Sequence, residues 1–234
     1  MAVGLVTGGS RGLGRELAGG LLDRGWSVVI DARDSLALRR AEKDLRPRLG
    51  DGAELVAVSG DVTDEAHRRA LLLEVGRLGS LDLLVNNAST LGATPLPSLS
   101  SYPLEALRRA YEVNVVAPLA LVQAALSQLL RSSDPRILNV SSDASVEAYE
   151  GWGGYGSSKA ALDHMSAVLA VEEPSVRVWA VDPGDMATQM HQDAFPGEDI
   201  SDRPQPSEVA PLLLDLIEGA QPSGRYRATE LANR

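Results

Sequence analysis

The chain has 234 residues, 44% of them hydrophobic, which suits one α/β domain and is enough to bury a core without covalent cross-links. It contains no cysteine, which excludes a disulfide framework, a zinc–thiolate site and a thiol nucleophile. Its net charge of −10, from 32 acidic residues against 22 lysines and arginines, argues against a dedicated surface for nucleic acid or anionic membranes, because phosphate-rich partners need a basic field.

Short apolar runs alternate with longer amphipathic stretches along the chain. This pattern predicts strands at residues 3–7, 27–31, 54–58, 81–86, 136–141 and 176–181, with a last candidate at 225–228. It predicts helices at residues 12–24, 35–49, 64–78, 102–131, 155–171 and 207–218. Strict alternation of strands and helices indicates a parallel sheet covered on both faces. The predicted fold is therefore a single α/β domain over 1–234, with a doubly wound, Rossmann-type sheet of about seven mostly parallel strands.

Two further features bear on organisation and location. The Pro-, Gly- and acid-rich stretch 182–206 is too long for an ordinary connection, so we predict a substrate lid within the domain over residues 185–206. No apolar run reaches the ~18 residues that a membrane span needs. The N-terminus shows no charged segment followed by a cleavage site. We therefore predict a cytoplasmic protein with no membrane and no nucleic-acid partner.

A glycine-rich loop follows the first predicted strand and opens the first predicted helix. It reads Thr7-Gly8-Gly9-Ser10-Arg11-Gly12-Leu13-Gly14. Glycines let the backbone turn tightly and approach a pyrophosphate, and the helix N-terminus offers unpaired N–H groups and the positive end of its dipole. The loop therefore predicts a dinucleotide site. Its T-G-x-x-x-G-x-G spacing resembles that of the short-chain dehydrogenase/reductase family.

Five more motifs of that family follow in the same order. They are Asp61-Val62, Asn86-Asn87-Ala88, Asn114, Ser141-Ser142 with Tyr155-x-x-x-Lys159, and Pro183-Gly184 with Thr188. The ordered set is similar to the classical branch of the family. The cofactor-binding residues that this resemblance implies are Gly8, Ser10, Arg11, Gly12, Leu13, Gly14, Arg33, Asp61, Val62, Asn87, Ala88, Tyr155, Lys159, Pro183, Gly184 and Thr188.

The resemblance also implies a catalytic set of Asn114, Ser142, Tyr155 and Lys159. Tyr155 and Lys159 are four residues apart, so they share one face of a helix. A phenol has a reference pKa of ~10, and we expect the ammonium to lower it, preparing Tyr155 as a general acid/base. By resemblance, Ser142 hydrogen-bonds the substrate oxygen and Asn114 holds a water that relays protons. Lys159 also binds the nicotinamide ribose.

The choice of nicotinamide cofactor depends on the end of the second strand. An acid there favours NAD, whereas an arginine pairs with the 2′-phosphate of NADP. The sequence reads Asp31-Ala32-Arg33. In the family's register the NAD-selecting acid falls on Ala32, and Arg33 and Arg11 fall where NADP-binding members carry arginine. We predict NADP(H), with NAD(H) as the alternative because of Asp31, and no metal.

The sequence indicates the substrate less specifically than it indicates the cofactor. Candidate pocket residues are Tyr149, Trp152, Met186, Met190, His191 and Phe195. They suit a ketone, an aldehyde or a secondary alcohol, and would equally pack a lid onto the domain. By resemblance, the helices at 102–131 and 155–171 form a subunit face, so we predict a homodimer or homotetramer.

The prediction is thus an NADP-dependent oxidoreductase that transfers a hydride between the nicotinamide and a carbonyl or alcohol. Three alternatives stay open. The chain could be an NAD-preferring dehydrogenase, or a non-catalytic dinucleotide sensor or scaffold on the same fold. An epimerase or dehydratase of the extended branch is disfavoured by the spacing of the glycine loop.

Overall fold

The fold is built around a single parallel β-sheet. Within residues 1–231, the part of the chain that the computed structural model describes, the sheet has seven strands in the order β3-β2-β1-β4-β5-β6-β7. They are β1 (Val3–Val6), β2 (Ser27–Ala32), β3 (Leu55–Ser59), β4 (Leu83–Asn86), β5 (Arg136–Val140), β6 (Arg177–Asp182) and β7 (Gly224–Arg227). All neighbouring pairs are parallel. The predicted sheet is confirmed, and residues 232–234 of the predicted domain lie outside the described residues.

Helices cover both faces of this sheet. They are α1 (Gly12–Asp23), α2 (Ser35–Leu45), α3 (Glu65–Leu78), α4 (Leu104–Tyr111), α5 (Ala117–Leu129), α6 (Gly153–Glu172), α7 (Gln189–Ala194), α8 (Pro206–Glu218) and α9 (Ala228–Leu231). Successive residues of β2 alternate between two apolar layers: Val28 and Ile30 pack with α1 and α8, whereas Val29 packs with α3 and α5. Burial on both sides explains why the strands read as continuous apolar runs.

Two helical segments differ from the predicted pattern. The helix predicted at 35–49 ends at Leu45, and a 3-10 turn follows because Pro47 has no amide to continue the helix. The segment predicted as a lid, residues 185–206, contains the short helix α7. Its N-terminus is capped by the side chain of Thr188, whose Oγ1 accepts a hydrogen bond from the amide of His191 at 3.2 Å.

The long helix predicted at 102–131 is interrupted by one π-helical turn, Glu112–Val116, between α4 and α5. By length and composition the whole run, Leu104–Leu129, is the one helix among residues 1–231 that could cross a membrane. Its inner face, which includes Leu121 and Val122, packs with α3 in the core.

The strand order reverses beside β1, because the chain passes from β3 at one edge back to β4 on the other side of β1. Crevices at such switch points, beyond the carboxyl ends of parallel strands, are the usual ligand sites of open α/β sheets. The glycine loop leaves β1 there, and the Ser141-Ser142 pair follows β5 nearby.

Candidate active site

The glycine loop is shaped by close backbone contacts. Gly8 and Gly12 have φ of +69° and +57°, a region that residues with a Cβ rarely adopt. A Cβ on Gly14 would lie 2.4 Å from Asn87 Nδ2, and that amide donates a 2.8 Å hydrogen bond to the carbonyl of Thr7. Asn87 therefore ties the end of β4 to the loop, and Gly14 leaves room for it.

Helix α1 presents an open N-terminus to the crevice. Arg11 occupies its N-cap position without a side-chain hydrogen bond, and its first turn carries no acidic residue. The first amides of the helix therefore have neither a capping oxygen nor a neutralising charge. An anion such as a pyrophosphate can supply both.

A cleft of about 980 Å³ runs from the ends of β2 and β3 to α6. Most of the predicted cofactor residues line it: Gly8, Ser10, Arg11, Gly12, Leu13, Arg33, Asp61, Val62, Asn87, Ala88, Tyr155, Lys159, Pro183 and Thr188. Gly184 lines an adjoining cavity instead. Gly14 lies behind the loop, against Asn87.

The acid at the end of β2 is directed into the protein. Asp31 is 1% exposed, and its Oδ1 accepts a 2.7 Å hydrogen bond from the amide of Gly8. Its Oδ2 lies 2.9 Å from Nε2 of His67, a buried residue of α3. Both carboxylate oxygens are therefore engaged within the protein. Sequence reasoning missed His67, whose only signal is a polar residue at a buried position of an amphipathic helix.

Two further acids at this end are also engaged. Asp34 caps α2, where its Oδ1 accepts hydrogen bonds from the amides of Leu36 and Ala37. Asp61 accepts from the amide and hydroxyl of Thr63 at 3.0 and 2.8 Å and from Arg109 at 2.7 Å.

The charge state of Asp61 follows from these contacts. Burial opposes ionisation, but the hydrogen bonds from Thr63 and Arg109 outweigh it and lower the pKa of Asp61 to about 2. The carboxylate therefore holds the turn that presents Val62 to the cleft. Arg109, on α4, is a second residue that the sequence did not single out.

Arg11 and Arg33 contrast with these acids. Both line the cleft, and within the described part of the chain neither guanidinium makes a hydrogen bond or an ion pair. Two unpaired guanidiniums at one end of a dinucleotide-sized cleft can bind a phosphate bidentately.

The predicted catalytic residues come from different elements and meet at the other end. Tyr155 and Lys159 lie on α6, and Ser142 follows β5. The Ser142 and Ser89 side chains are near enough to the buried Tyr155 hydroxyl to act against the rise in its pKa. Ser142 Oγ itself donates to Asp143 at 3.0 Å, and Ser89 Oγ donates to Asn114 at 3.1 Å. Ser89 stands where the family's Asn-Asn-Ala-Gly motif has its glycine, and no catalytic role was predicted for it.

The structure contradicts the expected lowering of the Tyr155 pKa. Burial raises the pKa of Tyr155, and the Ser142 and Ser89 hydroxyls offset only part of that rise. Lys159 does not counteract it, because Nζ donates to the Val140 carbonyl at 2.7 Å and lies 5.6 Å from the centre of the Tyr155 ring. Burial also lowers the pKa of Lys159 itself to about 8.

Asn114 lies in the π-helical turn and is 1% exposed. Its Nδ2 donates to the Thr90 carbonyl and to Ser158 Oγ, both at 2.9 Å. Its Oδ1 accepts from the Thr90 amide at 2.9 Å and from Ser89 Oγ at 3.1 Å. The amide has no spare hydrogen bond, so only its main chain could hold a relay water. π-Turns leave backbone groups without α-helical partners, often at functional sites.

A second cavity, of about 430 Å³, adjoins the cleft at Tyr155. It is lined by Ser142 and by the predicted pocket residues of the loops: Tyr149, Trp152, Met186, Met190, His191 and Phe195. The Trp152 ring packs edge-on to Tyr155 at 5.7 Å and lies 5.8 Å from Phe195. The cavity is therefore a partly aromatic chamber that opens onto the phenol.

The residues present fit a nicotinamide dinucleotide. The open N-terminus of α1 and the free arginines suit its phosphates. Ser141 Oγ is buried where cleft and cavity meet, and within residues 1–231 it has no hydrogen-bond partner. The same part of the chain holds no group of three or more acidic or histidine side chains placed for a metal ion.

Comparison with known proteins gives consistent matches. The profile of a family described as "short chain dehydrogenase" matches residues 2–199. Sepiapterin reductase of Rattus norvegicus is 35% identical over 201 residues, 82% of this chain and 76% of that protein. The rhamnolipids biosynthesis 3-oxoacyl-[acyl-carrier-protein] reductase of Pseudomonas aeruginosa is 36% identical over 196 residues, 80% of this chain and 74% of that protein. A solved short chain dehydrogenase from Shigella flexneri, complexed with NADP, superposes with a TM-score of 0.88 at 28% identity and covers 97% of each chain.

Proposed function

The chain belongs to the short-chain dehydrogenase family and is an NAD(P)-dependent oxidoreductase acting on CH–OH or C=O groups, and on that premise we propose that it is an NADP(H)-dependent carbonyl reductase or alcohol dehydrogenase. The observation that carries the proposal is that Tyr155 lines both the dinucleotide cleft, with Lys159, and the adjoining partly aromatic cavity, with Ser142. A carbonyl in that cavity contacts both hydroxyls.

In this proposal Tyr155 is the general acid/base. When bound, the nicotinamide supplies the hydride. Tyr155 Oη donates its proton to the carbonyl oxygen during reduction and takes it back during oxidation. Burial raises the pKa of Tyr155, so the phenol carries its proton before the transfer. The Ser142 hydroxyl, which donates to Asp143 Oδ1 at 3.0 Å in the structure, turns its proton toward the developing alkoxide. Asn114 fixes the Ser89–Thr90 turn against α6.

The preference for NADP(H) is supported by the charges at the adenosine end. Arg11 and Arg33 are free to bind a 2′-phosphate. Asp31, which favoured NAD in the sequence, has both oxygens bonded to Gly8 and His67. The amides at the start of α1 would hold the pyrophosphate, and Lys159 would hold the nicotinamide ribose. Thr188 would bind the carboxamide.

On the substrate side, we propose that residues 185–206 form a lid whose α7 closes the cavity. Phe195, from this segment, lies 5.8 Å from Trp152 and 4.9 Å from the ring of His191. This aromatic wall suits an apolar ketone, an aldehyde or the corresponding secondary alcohol.

We also propose that the enzyme is a cytoplasmic homodimer or homotetramer. Apolar side chains are exposed on the long helical run and on α6: Val116 and Leu119 on one, Val168 and Val171 on the other. Val171 is 81% exposed, and Val116 is 47% exposed. Burying such residues between subunits removes apolar area from water. Light scattering on the purified protein measures the oligomeric state, and a monomer would contradict this part.

The test of the activity follows the absorbance of NADPH, and separately of NADH, with ketones, aldehydes, diketones and 3-oxoacyl thioesters. Wild type runs beside Tyr155→Phe. Oxidation of NADPH that disappears in the variant is the expected result. Tight NADPH binding without turnover of any substrate would favour a non-catalytic sensor, and a preference for NADH would favour an NAD-dependent dehydrogenase.

A further inference from the structure

We propose that His67 is a specificity-determining residue for the dinucleotide: it holds the Asp31 carboxylate beneath the glycine loop and so prevents the acid at the end of β2 from acting against a 2′-phosphate. The inference rests on the proposed NADP(H) preference and adds the residue that permits it. His67 acts through Asp31, so it is a positioning residue.

Three buried contacts define this arrangement. Asp31 Oδ1 accepts the Gly8 amide at 2.7 Å, and Asp31 Oδ2 lies 2.9 Å from His67 Nε2. The His67 ring is fixed in turn by Gly60, where a Cβ would lie 2.2 Å from Nδ1. His67 and Asp31 are both buried, at 7% and 1% exposure. The carboxylate is therefore held from two sides by groups that cannot easily move.

Asp31 lies where a free carboxylate would affect which dinucleotide binds. Asp31 forms part of the same cleft wall as Arg11 and Arg33. A carboxylate at the end of the second strand that has a free oxygen accepts hydrogen bonds from ribose hydroxyls, which favours NAD. It also repels a phosphate in the same place, and in a partly dry cleft that repulsion is stronger than in water. With His67 as its second partner, Asp31 has no free oxygen to accept a ribose hydroxyl, and its charge is held beneath the glycine loop instead of at the place of a 2′-phosphate.

The other acids nearby do not depend on a removable partner in the same way. Asp34 is bonded to two amides of α2, and Asp61 is bonded to Thr63 as well as to Arg109. Replacing His67 therefore frees one acid at this wall and leaves both cleft arginines in place.

The experiment measures dissociation constants for NADPH and NADH by isothermal titration calorimetry on the purified full chain. The variants are His67→Leu, His67→Gln, the double variant Asp31→Asn/His67→Leu, and His164→Gln. His164 is an exposed histidine of α6 and serves as the matched control. Thermal unfolding checks that each variant is folded. Should the leucine variant not fold, His67→Asn replaces it, because its shorter amide does not reach Asp31.

The expected readout is the ratio of the NADH to the NADPH dissociation constant. His67→Leu lowers it by about fivefold or more, the effect of one hydrogen bond to a charged group. His67→Gln keeps the ratio, because its amide nitrogen occupies about the place of Nε2 and can donate to Asp31. The double variant restores the ratio, because asparagine carries no charge. His164→Gln leaves it unchanged.

A merely structural role for His67 predicts a different result. Both dissociation constants would then rise together in His67→Leu, and an unchanged ratio would overturn the inference. A double variant that fails to restore the ratio would overturn it as well, because Asp31 would not be the mediator. A wild-type preference for NADH would contradict the proposed function alone, since the shift caused by His67→Leu is measured relative to wild type.

Discussion

The two ends of the cleft differ in whether their titratable side chains have charged or hydrogen-bonding partners. At the adenosine end the three acids that follow β2 and β3 are all engaged: Asp31 by His67 and Gly8, Asp34 by the start of α2, and Asp61 by Thr63 and Arg109. At the catalytic end, Tyr155 and Lys159 are buried together, and within the described residues neither belongs to an ion pair. Burial raises the pKa of Tyr155 and lowers the pKa of Lys159 to about 8.

This difference separates two tasks. A site for a phosphate needs fixed positive charge and acids that cannot interfere, so its carboxylates are held by local hydrogen bonds. A site that moves a proton needs groups whose charge state is adjustable, and burial without a fixed counter-ion provides that. Substitutions at one end of the cleft should therefore leave the task of the other end largely intact.

The largest effect is expected at the catalytic end. Tyr155→Phe should lower kcat by about 10³-fold, the contribution typical of a positioned general acid. NADPH binding should stay close to wild type, because only a buried hydroxyl is removed. Steady-state oxidation of NADPH and a binding titration measure the two quantities.

Tyr149→Phe is the matched control for that variant. Its hydroxyl belongs to the same cavity wall but donates to Asp143 at 2.9 Å, and it connects to Ser142 only through that carboxylate, which accepts from Ser142 Oγ at 3.0 Å. Its kcat should stay within about threefold of wild type, as for a residue outside acid/base catalysis. Equal losses in the two tyrosine variants would contradict the assignment of Tyr155.

Arg33→Ala removes one of the two cleft arginines at the adenosine end. Removing one charged hydrogen-bonding partner should weaken NADPH binding by about 10- to 100-fold and leave NADH binding nearly unchanged. Fluorescence titration with each nucleotide measures this. Arg39→Ala, which removes an exposed arginine of α2 outside the cleft, controls for the change in net charge. A similar loss for both nucleotides would show that Arg33 does not read the 2′-phosphate.

Lys159→Met tests the cost of burying an ammonium. The folded-state pKa of about 8 lies below the ~10.4 of an unfolded chain, so the unfolded chain binds more protons between these values and wild-type stability rises with pH over that window. At pH 7 the variant should be more stable by about 1 kcal/mol, after the lost bond to Val140 is counted.

This advantage should shrink as the pH rises from about 8 toward 10, because the wild-type lysine then loses its charge. Urea unfolding at both ends of the window measures it. Lys43→Met is the matched control, since Lys43 is the only other lysine of the chain and is exposed on α2. An advantage of the same size at every pH would mean that the charge of Lys159 is not the cause.

The smallest effect is expected for Arg109→Gln. Because the pKa of Asp61 is lowered to about 2, the ionised carboxylate stabilises the fold at neutral pH, and that contribution is lost as the pH falls from about 4 through 2. Both partners are partly exposed, so the loss at pH 7 should be under about 1 kcal/mol.

Acid unfolding of Arg109→Gln beside wild type measures this effect. The two stability curves should converge as the pH falls from about 4 through 2, because the carboxylate then protonates first in the unfolded chain and finally in the folded one as well. Arg108→Gln, which removes an exposed pair with Glu105, is the control and should follow wild type. A difference that persists unchanged at low pH would exclude Asp61 as the origin.

Much of this architecture could be predicted from local patterns. The buried strands give continuous apolar runs, and the observed strands begin and end within two residues of the predicted ones. The glycine loop and the Tyr155–Lys159 spacing depend on neighbours in sequence. The ends of the helices were predicted less accurately than those of the strands. Pro47 ends one helix early, and a single π-turn divides another.

By itself, the sequence determined the parallel sheet, the place of the dinucleotide loop and the set of candidate catalytic residues. All three depend on the period of side chains along the chain and on short motifs. The roles of the acids at the adenosine end required the tertiary structure. Asp31 and His67 are 36 residues apart, and Asp61 and Arg109 are 48 apart. The packing of α3 and α4 beside the strand ends decides which carboxylates remain free, because no local pattern specifies a contact between distant segments.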